Sequence, residues 1–306
     1  DTQPVIWVRD ANGNDVSGAH VIASLASGSG ALRGAFDITT NASGVATFTD
    51  LAYNKLDAFT INFTVNALMP VTSDPVTVTV GAATKVNVET TANGSGSIVA
   101  VQNLASGSML TAYSITRDQF DNFVGNEASV WSLTNKTVGV ADANLVAAMD
   151  NKSAIMTGNL VGTGVIHVTN GALTAGNSGI ITVINGVATK YIINNPTDGT
   201  VDNNITVTVE LQDINNNIVT VGLDKDKDVT LNGDGSVTGD TLVNINNGVG
   251  TLSLNNHVAE TVNLSLTDSQ STMFNIASTQ DVIFAHGVAT KYIIIDPTDG
   301  TVDNDI

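Results

Sequence analysis

A chain of 306 residues with 11 Lys and Arg against 29 Asp and Glu carries a formal net charge of −18. Such a surface repels phosphate backbones and anionic lipid, which excludes nucleic acid as a partner, and it attracts cations, Ca²⁺ among them, besides keeping the chain soluble. Cysteine is absent, so thiolate metal sites, a catalytic Cys and a disulfide framework are excluded, although large exported microbial proteins also avoid Cys and the compartment is not fixed by it. An apolar share of 42% is that of a folded chain, and no apolar run approaches the roughly 20 residues of a membrane helix.

The chain opens directly in strand-like sequence, DTQPVIWVRDANGN, rather than in a signal peptide. Its first run ends at the turn DANGN (10–14), and a Gly-Val strand, GVATFTDL (44–51), follows 34 residues later. PVTVTV (75–80) closes this unit, and GAATKVNVETTANGSGS opens the next at Gly81. The second unit repeats the turn as DQFDN (118–122), places Trp131 in ASVWSL as a buried strand tryptophan, and allows at most a short turn of helix at ADANLVAAMD (141–150). GVIHVTN (164–170) is its Gly-Val strand, 46 residues after Asp118, which implies an insertion of about eleven residues beside the other units; GIITVI (179–184) closes it. GVATKYIINNPTDGTVDNN (186–204) opens the third unit, followed by ITVTVEL (205–211), the turn DINNN (213–217), GVGTLSL (248–254) and TVNLSL (261–266). The opening words return as GVATKYIIIDPTDGTVDND (287–305).

The Lys of each Ala-Thr-Lys core therefore falls at Lys85, Lys190 and Lys291, 105 and 101 residues apart. That period, with period-2 and β-branched strands bounded by Gly, Asn, Asp and Pro, is that of small sandwiches of about 100 residues. The Asp-x-x-x-Asn turn has a local cause: Asp and Asn side chains bond their own backbone two residues on, and Gly or Asn accepts positive φ. The expected fold is all-β, a tandem of immunoglobulin-like β-sandwiches. The expected domains are 1–80 (lacking its first strand), 81–184, 185–285, and 286–306 as the first strand of a further repeat. The simplest account of the two ends is a window cut from a longer array. The sharper one is that the tail 287–306 carries the strand the first unit lacks, so that one protomer completes the next in a head-to-tail fibre.

VRDANGNDVSGAHV with TTNASGVATFTDLAYNK resembles the bacterial immunoglobulin-like repeats of invasin- and intimin-type adhesins and of surface-layer proteins. In that family a strand ending in Asp-x-x-Gly-Asn pairs with a later Asn-x-x-Gly-Val-Ala-Thr-Phe stretch. The second unit resembles a sister group through DQFDNFV and ASVWSLTN, and the third keeps the skeleton. The resemblance implies an extracellular, cell-surface location and a structural segment of a large exported microbial protein, in a surface-layer or other extracellular array. An adhesin stalk, or a binding module for a host protein or glycan, is the alternative. Its partners would be other copies of itself or neighbouring repeats.

Catalytic constellations are missing: His20, His167, His257 and His286 stand apart, and no metal-binding His pair, nucleophile elbow or phosphate loop occurs. The chain is not expected to be an enzyme. For calcium, which takes about six to eight oxygens, the candidates are Asp224, Asp226 and Asp228, whose carboxylates share one face if the segment is a strand, with Asp234 folding back through a turn. Lys225 and Lys227 interleave, so a solvated hairpin is the competing reading. The repeated linker offers Asp198 and Asp202, then Asp299 and Asp303, as an interdomain calcium site or simply as Pro-Asp-Gly turns. Trp7, Phe120 and Phe123 are candidate interface aromatics; Trp7 aligns with Glu210 and points outward unless the register is one off. Sequons at Asn41, Asn62, Asn93, Asn135, Asn151, Asn204 and Asn263 permit glycosylation and, in so Asn-rich a chain, do not argue for it.

Overall fold

The computed structural model describes residues 2–66, 68–239 and 241–295. The chain is all-β: apart from one 3₁₀ turn at Asp142–Asn144, every regular element among the described residues is a strand. Among the described residues no helix is long and apolar enough to cross a membrane. Strands pair only with strands of their own unit, so the sheets fall into three immunoglobulin-like sandwiches in tandem.

The third unit shows the plan most simply. Lys190–Ile193, Ile205–Gln212 and Val249–Leu254 form one sheet; Gly199–Thr200, Gln280–Ala285, Glu260–Thr267, Val229–Gly233 and Leu242–Val243 form the other. Along Ile205–Gln212 alternate residues are buried, as a strand with one face on a core requires. Tyr191, Ile193, Val207, Val209 and Leu211 meet Leu231, Val262, Leu264, Val282 and Phe284 between the sheets, all nearly without solvent contact. The opening strand crosses from sheet to sheet. Lys190–Ile193 runs antiparallel to Ile205–Gln212, and Gly199–Thr200 then runs parallel to Gln280–Ala285. Pro196, with no N–H to give a ladder, lies in the crossing.

The second unit repeats this plan with Lys85–Glu89 and Gln102–Ala105 as its crossing strand. Its register corrects two readings of the sequence. The strand opposite Met109–Arg117 is Ser153–Thr157, with Tyr113 facing Ser153, whereas Gly164-Val165 lies one strand further on, in Gly162–Thr169. The distance from Asp-turn to its facing strand is thus close to that in the other units, and there is no insertion between them. A Gly-Val pair is a weak marker because glycine serves several purposes; at Gly164 it makes room for the side chain of Val140, 3.1 Å from where a Cβ would stand. Trp131 is partly buried rather than enclosed: its ring packs on the edge of the core and Nε1 donates to Asn151 O at 2.9 Å. Sitting near one end of its strand, it cannot reach the sandwich centre, which Leu133, Ile166 and Ile181 fill.

In the first unit Val5–Trp7 pairs with Val45–Thr47, and Asp37–Thr39, His20–Ser27, Ala58–Val65, Val71–Thr72 and Val76–Thr77 make the facing sheet. Phe48, Phe59, Ile61 and Phe63 form its core with Val8 and Val21, the Phe48 and Phe63 rings 5.4 Å apart in a tilted contact. Only Val76–Thr77 of the expected run 75–80 is strand.

Candidate functional site

The Asp-x-x-x-Asn turn is built identically three times. At Asp213, Oδ1 accepts the N–H groups of Asn215 and Asn217, both at 2.9 Å, and Oδ2 accepts Asn217 Nδ2 at 2.9 Å. Asp118 takes the corresponding bonds from Phe120 N, Asn122 N and Asn122 Nδ2, and Asp10 from Asn12 N, Asn14 N and Asn14 Nδ2. The fourth residue carries positive φ each time: Gly13 at 84°, Asp121 at 68° and Asn216 at 67°. Asp, Asn and Gly are the types that accept this region at least cost.

In the second and third units this turn grips the unit before it. Asn122 Oδ1 accepts Leu56 N at 3.2 Å and its Nδ2 donates to Asn54 O at 3.3 Å. At the second junction Asn217 Oδ1 accepts Val161 N at 2.9 Å and Nδ2 donates to Asn159 O at 2.8 Å. The two loops occupy the same place, just before Ala58–Val65 and Gly162–Thr169. The linkers close the clamp: Gly81 N reaches Asp118 Oδ2 at 3.4 Å, and Gly186 N reaches Asp213 Oδ2 at 2.8 Å. Burial pushes the Asp118 and Asp213 carboxyls up, but the hydrogen bonds from Asn122 or Asn217 and from the backbone outweigh it, and both lie below the ordinary 3.8. Asp10, held mainly by Asn14, is also lowered.

The second junction is the more richly hydrogen-bonded. Ser106 Oγ accepts Asn215 Nδ2 and Asn217 Nδ2 and donates to Asn159 O at 2.7 Å. Asn185 bonds Thr220 N and Val221 N through Oδ1, at 3.0 Å each, and Val221 O through Nδ2. A Cβ on Gly186 would stand 2.8 Å from Ser106 O. At the first junction Arg33 lies over the Phe120 ring, 4.8 Å from its centroid. Clefts remain at both joints, about 340 Å³ at the first, lined by Tyr53, Leu56, Val78 and Phe120, and about 580 Å³ at the second, lined by Leu160, Val161, Ile218 and Val221.

Of the three interface aromatics, Phe120 therefore stands at the first junction. Phe123 lies within its own unit, its ring over Gly94, where a Cβ would clash at 2.2 Å. Trp7 points outward, 65% exposed, with Arg9 over its ring at 5.3 Å. Asp224 and Asp226 lie in a turn and Asp228 just beyond it, ahead of Val229–Gly233, so they do not share a strand face. Lys227 N donates to Asp224 O, Asp226 pairs with Lys225 and accepts Asn247 N, and Asp228 accepts Ile245 N at 2.8 Å. Asp234 instead accepts Asn263 N at 2.7 Å. Asp198 accepts Ile283 N, and Asp202 meets His257 Nδ1 at 2.5 Å. Asp299 and Asp303 lie outside the described residues. Among the described residues no three His, Asp or Glu side chains gather as a metal cluster. What the sequence analysis missed is the outward grip of Asn122 and Asn217. The sequence holds no signal for it: the fifth Asn of each turn is already accounted for by its bond to the Asp, as at Asn14.

No protein-family model matches the chain, and no curated protein does. Its fold is similar to bacterial immunoglobulin-like adhesin domains among solved structures. FdeC, a broadly conserved adhesin of Escherichia coli, is 18% identical over 93% of this chain and 91% of that structure, with a TM-score of 0.34. The D00–D0 domains of intimin are 14% identical over 65% of this chain and 99% of theirs, TM-score 0.36. Domains 4–9 of the surface-layer protein SbsC are 16% identical over 92% of this chain and 42% of theirs, TM-score 0.26.

Proposed function

We propose that this chain is a structural segment of a large exported microbial surface protein, in which tandem sandwiches hold a fixed spacing away from the cell, within a surface-layer or similar extracellular array. One observation carries the reading: the same turn that ends a strand in each unit is used twice, at Asn122 and at Asn217, to fasten that unit to the loop before it. Flexible tandem modules do not need buried, charge-assisted turns at their joints, whereas a spacer that sets a distance does. The resemblance of the Asp-turn and Gly-Val motifs to repeats of surface proteins supports the location. An adhesin stalk would use the same joints for the same purpose.

The test is small-angle scattering on the purified chain and on the double variant Asn122→Ala, Asn217→Ala. A spacer gives an extended pair-distance distribution with a sharp maximum dimension, and the double variant broadens it and shortens the mean length while the circular dichroism of the sandwiches is unchanged. Identical distributions would show that the clamps do not set the spacing.

A further inference from the structure

Six Asn-Gly pairs occur in the chain, at Asn12, Asn93, Asn170, Asn185, Asn232 and Asn247. Such a pair is the dipeptide most open to deamidation, because glycine leaves its nitrogen unhindered beside the amide carbon. Asn185 is the one of the six that is buried, at 4% exposed, and it stands at the second joint. Both residues of the pair are demanded there. Asn185 Oδ1 accepts Thr220 N and Val221 N while Nδ2 donates to Val221 O and Gly186 O, a combination of acceptor and donor that an amide supplies. Glycine follows because a Cβ at Gly186 would stand 2.8 Å from Ser106 O. The first joint has Val80 before the matching Gly81 and carries no such pair.

We propose that Asn185 is a modification site gated by the second joint: the closed joint shields it from deamidation, and opening exposes it to a reaction after which the joint does not re-form. The reaction needs only water. Gly186 N gives up its proton to solvent and attacks Asn185 Cγ; Nδ2 leaves as ammonia, and a cyclic imide closes between the two residues. Water then opens either C–N bond of the ring, giving aspartate or isoaspartate. Three features of the closed joint oppose the first step. Gly186 N donates to Asp213 Oδ2 at 2.8 Å, and loss of a proton beside that carboxylate would set negative charge against negative charge. The bonds on the Asn185 amide fix its plane, so Cγ cannot turn toward the nitrogen that follows. Burial removes the water that takes up the proton and completes the hydrolysis.

The product does not fit the place the amide left. A carboxylate at residue 185 has no N–H for Val221 O or Gly186 O, and it adds a negative charge beside the buried Asp213. Isoaspartate also lengthens the main chain by one carbon, which moves Gly186 away from Asp213 and Ser106. Opening of the joint is thereby recorded in the chain and made permanent. This goes beyond the spacer reading and does not depend on it, since a joint that sets no distance would still shield Asn185.

The test keeps the whole chain at mildly alkaline pH and follows each Asn-Gly pair over time by peptide mapping, with isoaspartate scored by mass spectrometry. Asn93, exposed in the loop after Lys85–Glu89, is the reference. Asn185 is expected to convert at least about tenfold more slowly, the factor that an opening free energy of only about 1.4 kcal/mol supplies. Ser106→Ala with Asn217→Ala removes bonds across the joint and is expected to bring Asn185 close to the rate of Asn93. Asn232, in the strand Val229–Gly233, reports the fold of the third unit in the same digest and is expected to keep its native rate. Asn185→Asp, the product itself, is expected to broaden the distance distribution between spin labels placed across residues 184–190. Equal rates at Asn185 and Asn93 in the native chain would overturn the inference, as would a double variant that leaves Asn185 unchanged or speeds Asn232 in step with it. A distribution as narrow in Asn185→Asp as in the native chain would show that the joint re-forms, and would sink the permanent release.

Discussion

At the scale of single residues, the joints rest on carboxylates that accept several bonds at once. Asp213 takes four, from Asn215 N, Asn217 N, Asn217 Nδ2 and Gly186 N, and is fully buried. An ionised carboxylate is the one side chain that offers acceptors alone in that number. Asp213→Asn keeps the shape and turns one acceptor into a donor facing a donor. It is expected to destabilise the third unit by about 1.5 to 3 kcal/mol, read as a lower calorimetric transition, with Asp10→Asn shifting the first unit far less. The sign of the pH dependence follows from the lowered pKa. Ionisation is favoured in the folded state, so this contribution is full above the ordinary 3.8 and is lost as pH falls through the folded value. Melting temperature measured down from pH 5 should decline less steeply in Asp213→Asn than in the native chain. Arg117 and Glu89 raise the opposite issue. They form a bidentate pair with Glu89 1% exposed, and Arg117 also donates to Gly94 O and Asp121 O. Arg117→Met leaves the carboxylate buried without a cation, with only Asn87 Nδ2 donating to it, which costs about 3 to 5 kcal/mol. Adding Glu89→Leu is expected to recover most of the loss in a urea titration.

At the scale of elements, the crossing strand decides how much each sandwich encloses. Tyr191 fixes it at one end: the phenol donates to Lys227 O at 2.9 Å, tying Lys190–Ile193 to the turn that holds Asp224 and Asp226. Burial pushes that phenol from its ordinary 10.0 up to about 12. The raised value means the neutral form is the folded one, so its contribution is present below pH 10 and lost as pH rises toward 12. Tyr191→Phe should cost about 1 kcal/mol near neutrality and flatten the alkaline limb of the stability curve in that window. The turn also accounts for the three aspartates. Alternation suggested a strand, but the segment is a turn in which each carboxylate or carbonyl caps a neighbouring N–H, and Ile245 and Asn247 are held by Asp228 and Asp226. Alternating charge over a few residues carries too little apolar contrast to distinguish a strand from a well-bonded loop.

At the scale of the molecule, three sandwiches are fastened by one device used at unequal strength. The second junction adds Ser106, Asn185 and Asn215 to the Asn217 grip, while the first adds only Arg33 on Phe120. Bending should therefore concentrate at the first junction. Double electron–electron resonance between spin labels on adjacent units is expected to give a broader distance distribution across residues 78–84 than across 184–190; the reverse order would show that hydrogen-bond number does not govern stiffness here.

The sequence by itself determined the all-β class, the period and the turn chemistry. These are local: β-branched alternation, Asp bonding its own backbone and a residue that accepts positive φ act within a few positions. The outward placing of Trp7 was one of two registers that the sequence left open, and the pairing of Val5–Trp7 with Val45–Thr47 decided it. Only the tertiary structure decided which strand faces which in the second unit, since Gly164-Val165 and Val45 look alike in sequence while pairing depends on the sheet around them. It also decided that Asn122 and Asn217 reach across to a neighbour. That grip joins residues more than fifty positions apart, where no local propensity acts, and it exists only once two folded units have placed a loop and a turn within hydrogen-bond reach.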